Sequence, residues 1–192
     1  MSELTSILTK SNLLNSIYFF GTLVPLSYYL SPRIGGKNFD INRLWGKVEK
    51  NIRGVYVFSM ILCVISMLLI VAFIDFSIDN KSTVLSKPFN KGGSSFYFYA
   101  MALFIIPSII WMPLSIMYLK KPSSLLKYLI ITVLGTVAIG SILLAHAVLN
   151  TDIKENNINH HIWLKQGAAV GSVYLAFHLT VLDFYYWSKR FF

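Results

Sequence analysis

The sequence predicts an all-α integral membrane protein, a bundle of about five transmembrane helices with one short basic amphipathic helix at the interface. Three observations predict it. The chain is 55% hydrophobic and 13% charged, whereas soluble domains of this size sit at about 45–50% apolar and 25% charged. Five apolar runs follow one another, each long enough to cross a bilayer as a helix. The basic residues gather in the short segments between those runs, as topology determinants do. A water-soluble core could not hide this much apolar surface, but a bilayer can. The 192 residues then form one membrane domain, 1–192, with no room for a large soluble one.

The first span covers about 12–30, with Pro25 inside it. It differs from a signal peptide. The strong positive charge follows it, and no small-residue cleavage site ends it. Gly35-Gly36 then breaks the chain, and Asp40 suits an N-cap. The interfacial helix follows over about 41–52. Ile41, Leu44, Trp45, Val48 and Ile52 fall at helical spacing, with Arg43, Lys47, Lys50 and Arg53 on the other faces. Arg43, Trp45, Lys47, Lys50 and Arg53 are therefore the expected membrane-surface residues. The second span, about 54–74, carries no charge; Asp75 and Asp79 close it, and the lone cysteine, Cys63, lies within it. A polar loop over 77–95 contains Asn80-Lys81-Ser82, a glycosylation pattern too near the membrane to be used.

The third span, about 96–119, opens on the aromatic belt Phe96-Tyr97-Phe98-Tyr99. Pro107 and Pro113 within it each remove a backbone bond, which predicts a kink or local unwinding. Lys120-Lys121-Pro122 makes a tight turn, and Ser123 or Ser124 caps the fourth span, about 125–149. The loop over 150–162 holds Asp152, Glu155, His160 and His161. The fifth span, about 163–187, ends in a second aromatic belt, Phe184-Tyr185-Tyr186-Trp187.

Charge sets the orientation. One side holds eleven basic residues: Arg33, Lys37, Arg43, Lys47, Lys50, Arg53, Lys120, Lys121, Lys127, Lys189 and Arg190. The other side holds six, all lysines. The positive-inside rule puts the first set in the cytoplasm and the N-terminus outside or in a lumen. Lys189-Arg190-Phe191-Phe192 then resembles the dibasic retrieval signals on cytoplasmic tails of proteins that cycle between endoplasmic reticulum and Golgi, with an arginine where the usual lysine stands. In a eukaryote, that resemblance implies residence in those membranes.

Ionisable and small residues inside the spans mark the candidate sites. Gly167, Gly171, Tyr174 and His178 share a narrow stripe on the fifth helix. Gly140, Ser141 and Ala145 belong to small-x-x-x-small patterns on the fourth. A short loop joins these helices, so they are expected to pack as a tight hairpin in which His178 meets Gly135 or Thr136. Asp183 lies roughly 160° from Gly167 at about 100° per residue. An ion pair between Asp183 and Lys127 conflicts with that stripe, and the stripe rests on more residues. His178, Asp183 and Lys127 are the candidate intramembrane polar residues.

No catalytic, cofactor or metal motif appears. His146, His160 and His161, with Asp75, Asp79, Asp152 and Glu155, lack ligand spacing. His146 and His178 differ in depth by roughly 15 Å, which excludes a shared haem. The P-loop, G-x-G-x-x-G, G-x-S-x-G and H-E-x-x-H patterns are absent. The expected function is a non-enzymatic accessory, assembly or trafficking component acting through helix packing and a basic face. A small transporter, channel or lipid-binding protein is the alternative, and a membrane oxidoreductase has least support. The expected partners are the bilayer, anionic lipid at the basic face, and membrane proteins or further copies of the chain. Nucleic acid is not expected, because the charge lies in the interhelical segments.

Overall fold

The computed structural model describes residues 10–77, 93–151 and 158–192. It is all-helical there, with five helices long and apolar enough to cross a membrane. They are α1 (Lys10–Gly35), α2 (Lys50–Ser77), α3 (Gly93–Lys120), α4 (Ser124–Leu149) and α5 (Ile158–Phe177). A π-helical segment, His178–Trp187, continues α5 without a break into the short α6, Ser188–Phe191. Asn80-Lys81-Ser82, Asp79, Asp152 and Glu155 lie outside the described residues.

The order in space differs from the order in sequence. α1 packs along α3, α3 along α4, α4 along α5 and the π segment, and α5 along α2. α1 and α2 are consecutive in the chain yet share little packing. Lys10 ties them at one end, giving its ammonium to the Asp75 carbonyl and standing 4.0 Å from its carboxylate. The segment joining α1 to α2 must therefore cross the end of the bundle.

That crossing corrects the expected interfacial helix over 41–52. Within it, Ile41–Trp45 is a short 3₁₀ helix, and the span from Lys50 on already belongs to α2. Asp40 caps it, accepting from the Asn42 N–H at 2.9 Å. Gly46 ends it at φ +51°, a left-handed conformation that glycine adopts without penalty. A side chain there would meet the Arg190 carbonyl and the Phe191 Cα at 2.7 Å. Part of the segment's apolar face turns inward. Leu44 and Val48 are buried in the bundle's end, while Ile41 stays exposed. α2 then starts at Lys50.

Of the kink or unwinding expected at Pro107 and Pro113, unwinding does not occur: α3 runs through both as one helix. Pro107 deprives the Leu103 carbonyl of its helical donor. Gly140 of α4 sits against that place: a Cβ on it would lie 3.0 Å from the Leu103 oxygen and 2.6 Å from the Phe104 nitrogen. The proline on α3 and the glycine on α4 thus meet at one close contact. Ser123 caps α4 through the Leu126 N–H at 3.2 Å.

Two apolar clusters fill the bundle. The larger lies toward the Lys10–Asp75 end and includes Ile70, Phe73, Ile74, Tyr97, Leu144 and Val148. The other fills the basic end with Leu44, Val48, Tyr56, Ile116, Ile130, Leu134, Trp187 and Phe191.

Candidate functional site

The small-residue stripe of α5 faces α2. A Cβ on Gly171 would fall 3.1 Å from the Ser66 Cα, and one on Gly167 would contact Leu69. Gly140 faces α3, as described. The hairpin expected from Gly167, Gly171 and Gly140 is thus corrected. α4 and α5 are neighbours, but each presents its glycines to a different helix. At the α4 boundary with the π segment, Gly135 meets the Phe184 ring. Ser141 and Ala145 are buried, and the Ser141 hydroxyl bonds back to the Ala138 carbonyl at 2.7 Å.

With its glycines on α2, α5 also turns His178 toward α2. His178 does not meet Gly135 or Thr136. Its Nδ1 lies 2.6 Å from the Ser59 hydroxyl, which lies 2.6 Å from the Tyr174 hydroxyl. Tyr56, one turn before Ser59, donates its hydroxyl to the Leu182 carbonyl and sets its ring edge-on to His178, 6.2 Å between centroids. His178 is almost fully buried. Its other nitrogen, Nε2, stands 3.4 Å from the Asp183 carboxylate.

The π segment explains that last contact. In an α-helix, residues five apart point about 140° away from each other. In a π-helix, i and i+5 are the bonded pair and share a side. His178 opens the segment and Asp183 stands five residues on, so the carboxylate rotates toward the imidazole and away from Lys127. Lys127 instead lies over the Phe192 ring, 5.1 Å from its centre.

One arrangement of hydrogens consistent with these distances keeps the Nε2 proton toward the carboxylate. In it, Tyr174 donates to Ser59, Ser59 donates to Nδ1, and Nε2–H faces the Asp183 carboxylate. One chain of polar contacts thereby fastens α5 and the π segment to α2. The residues missed in the sequence are Ser59 and Tyr56. Their signal was present: Tyr56, Ser59, Cys63 and Ser66 recur at three- and four-residue spacing, a small and polar stripe on an otherwise apolar helix.

The basic end is closed by the 3₁₀ turn and the tail together. Trp187 gives its indole N–H to the Leu44 carbonyl at 3.0 Å, and Lys47 gives its amide N–H to the Arg190 carbonyl at 2.9 Å. Phe191 stacks on Trp187 at 4.3 Å and is buried. Lys189-Arg190-Phe191-Phe192 is therefore docked along α6 and its end, not an extended tail. Arg43 donates to the Leu119 carbonyl at 3.1 Å and Lys120 to the Ile34 carbonyl at 2.9 Å, each neutralising a helix C-terminus. Arg53 bonds the Val48 carbonyl and covers the Trp45 ring. Of the expected membrane-surface residues, Arg43, Lys47 and Lys50 remain exposed, whereas Trp45 and Arg53 are partly enclosed.

Of the histidines and acids that lack ligand spacing in the sequence, the structure describes the side chains of His146 and Asp75. His146 Nδ1 faces Asn150 at 3.4 Å, and Asp75 faces Lys10. Among the described residues, no three His, Cys, Asp or Glu side chains could hold one metal ion. No family model, curated protein or solved structure matches the chain.

Proposed function

We propose that the protein is a multi-pass membrane component without catalytic activity, serving assembly, trafficking or support of other membrane proteins through helix packing and its basic face. One observation carries this: one set of buried polar side chains from two helices and the π segment is engaged within itself. Ser59, Tyr174, His178 and Asp183 form a chain of contacts that holds helices together. Beyond Tyr174, the Ser66 hydroxyl turns back to the Leu62 carbonyl, and the layers after it, Ile70, Phe73 and Ile74, are fully buried and apolar. A path for ions or protons would need polar groups there. In this reading the basic end lies in the cytoplasm, where Lys47, Lys50 and their neighbours meet anionic headgroups. In a eukaryote, the endoplasmic reticulum or Golgi suits the dibasic tail.

Native mass spectrometry of the full chain extracted in mild detergent tests the proposal. A partner protein at fixed stoichiometry is expected. A solitary chain that catalyses ion flux in vesicles would overturn it.

A further inference from the structure

We propose that the adjoining C-termini of α1 and α3 hold the headgroup of an anionic phospholipid, bound through a phosphate monoester by Arg43 and Lys120. This rests on the reading that the basic face meets anionic headgroups, and it names the lipid and the place. α1 and α3 pack side by side and both end at the basic side, α1 at Gly35 and α3 at Lys120. Lys120 reaches across to the Ile34 carbonyl of α1 at 2.9 Å. Arg43, on the 3₁₀ turn, bonds the Leu119 carbonyl at 3.1 Å, which belongs to the peptide unit that leads into Lys120. Three segments thus meet around one peptide unit, and two cations are fixed there. Both keep donors to spare, because a guanidinium carries about five N–H groups and an ammonium about three.

The charge at this place is not balanced. Arg33, Lys37 and Lys121 flank the same two helix ends, and these three, Arg43 and Lys120 are all exposed. Among the described residues, none of them stands within ion-pair distance of a carboxylate. Asp40, the acid of this segment, is occupied by Asn42, accepting from its amide N–H and its side chain. Each helix C-terminus offsets about half a charge. Asp40 and the two helix ends therefore leave a clear positive surplus.

The surroundings select a lipid over a soluble anion. About one turn into the span from the bonded residues, Leu30 of α1 and Met117 of α3 are exposed apolar side chains. A phosphate at the cations would lay its acyl chains on them. The cations are tied to last-turn carbonyls, so they stand where the helices leave the hydrocarbon, which is phosphate depth in a phospholipid. A monoester directly on the glycerol offers about three free oxygens and up to about two negative charges, whereas a diester has fewer of each. That suits the Arg43 fork and Lys120 together. A zwitterionic head would bring its own cation into the surplus.

The full chain in detergent micelles is titrated with dioleoyl phosphatidic acid, phosphatidylglycerol or phosphatidylcholine. Native mass spectrometry reads binding, and the rise in Tm on adding lipid reads it independently of each variant's own stability. Phosphatidic acid should bind tightest and phosphatidylcholine weakest. Arg43→Gln and Lys120→Gln should each weaken phosphatidic acid about tenfold or more, as loss of a charged donor implies. Lys121→Gln breaks no side-chain bond of the fold and should weaken it about threefold, a loss that unfolding does not explain. Lys50→Gln, at the same end on α2, should leave it nearly unchanged. Inorganic phosphate at equal concentration should not displace the lipid. Equal affinity for phosphatidylglycerol, displacement by inorganic phosphate, unchanged binding in Lys121→Gln, or as large a loss in Lys50→Gln would each overturn this site and leave the basic-face reading standing. Equal binding of all three lipids would overturn both.

Discussion

The two ends of the bundle are built from similar helices but are closed by different means. Toward Lys10 and Asp75, the core is a tight apolar fill in which Ile70, Phe73, Ile74, Leu144 and Val148 have no accessible surface. A buried polar pair interrupts it, Tyr97 and Thr151 with their hydroxyls 2.7 Å apart. Toward the basic end, the fill is aromatic and polar. Trp111, Trp187, Phe191 and Tyr56 stack edge to face or plane to plane, and indole, hydroxyl and guanidinium groups bond carbonyls from distant segments. The first end resists through shape; the second is stitched by direction-specific bonds. Helices in lipid gain little from hiding apolar surface from one another, so close packing and interhelical hydrogen bonds must hold them. This protein uses one device at each end.

The contrast can be broken most severely in the apolar half. Phe73→Ala removes a fully buried ring and should cost about 3–5 kcal/mol. Thermal unfolding in detergent should show a large fall in Tm. Three of the four tryptophans (Trp45, Trp111 and Trp187) lie at the basic end, so native-state fluorescence should hardly change. An equal fluorescence change at both ends would mean the halves are not separate.

Gly140→Ala comes next. Its methyl would lie 2.6–2.7 Å from α3 backbone, which side-chain rotation cannot relieve. A loss of about 2–3 kcal/mol is expected, the upper part of the overpacking range. Ser59→Ala should follow at about 1–3 kcal/mol, because it leaves Tyr174 and His178 without their shared partner. Its distinguishing readout is nuclear magnetic resonance of the His178 ring, whose Nδ1 signal should shift while the Lys10–Asp75 end stays silent.

Gly46→Ala should act locally. It forces a strained φ and strikes the Arg190 carbonyl, so the docked tail should loosen. Hydrogen exchange at the Lys47 amide should accelerate about tenfold or more, as a loss of roughly 1–2 kcal/mol implies. The smallest effect belongs to Gly54→Ala on α2, where nothing lies within 4 Å of the new methyl. A gain of up to about 1 kcal/mol from helix propensity is expected. A large loss at Gly54 would show that another chain covers that face.

Much of this was legible before any coordinates. The helices follow from unbroken apolar runs, and the Asp40 and Ser123 caps from local chemistry. The glycines were legible as close-packing positions, but not their partners. Gly167 and Gly171 suited a hairpin with α4 because sequence neighbours joined by a short loop usually pack together. They do pack here, yet the stripe turned to α2, whose Ser59 and Ser66 offered small and polar surface at matching intervals. The Asp183 position was misread for a sharper reason. An angle of about 100° per residue holds only while the helix stays α, and the π segment resets it.

The sequence by itself determined the number of helices, their polarity along the chain and the crowding of basic charge at one end, because these depend on runs and periodicities that each segment carries alone. The tertiary structure decided which helix each small face met, the burial of Leu44, Val48 and Phe191 in a closed end, and the meeting of His178 with Ser59 and Asp183. Those depend on groups up to 143 residues apart, as Leu44 and Trp187 are, and on a local change of helical register. No single segment records either.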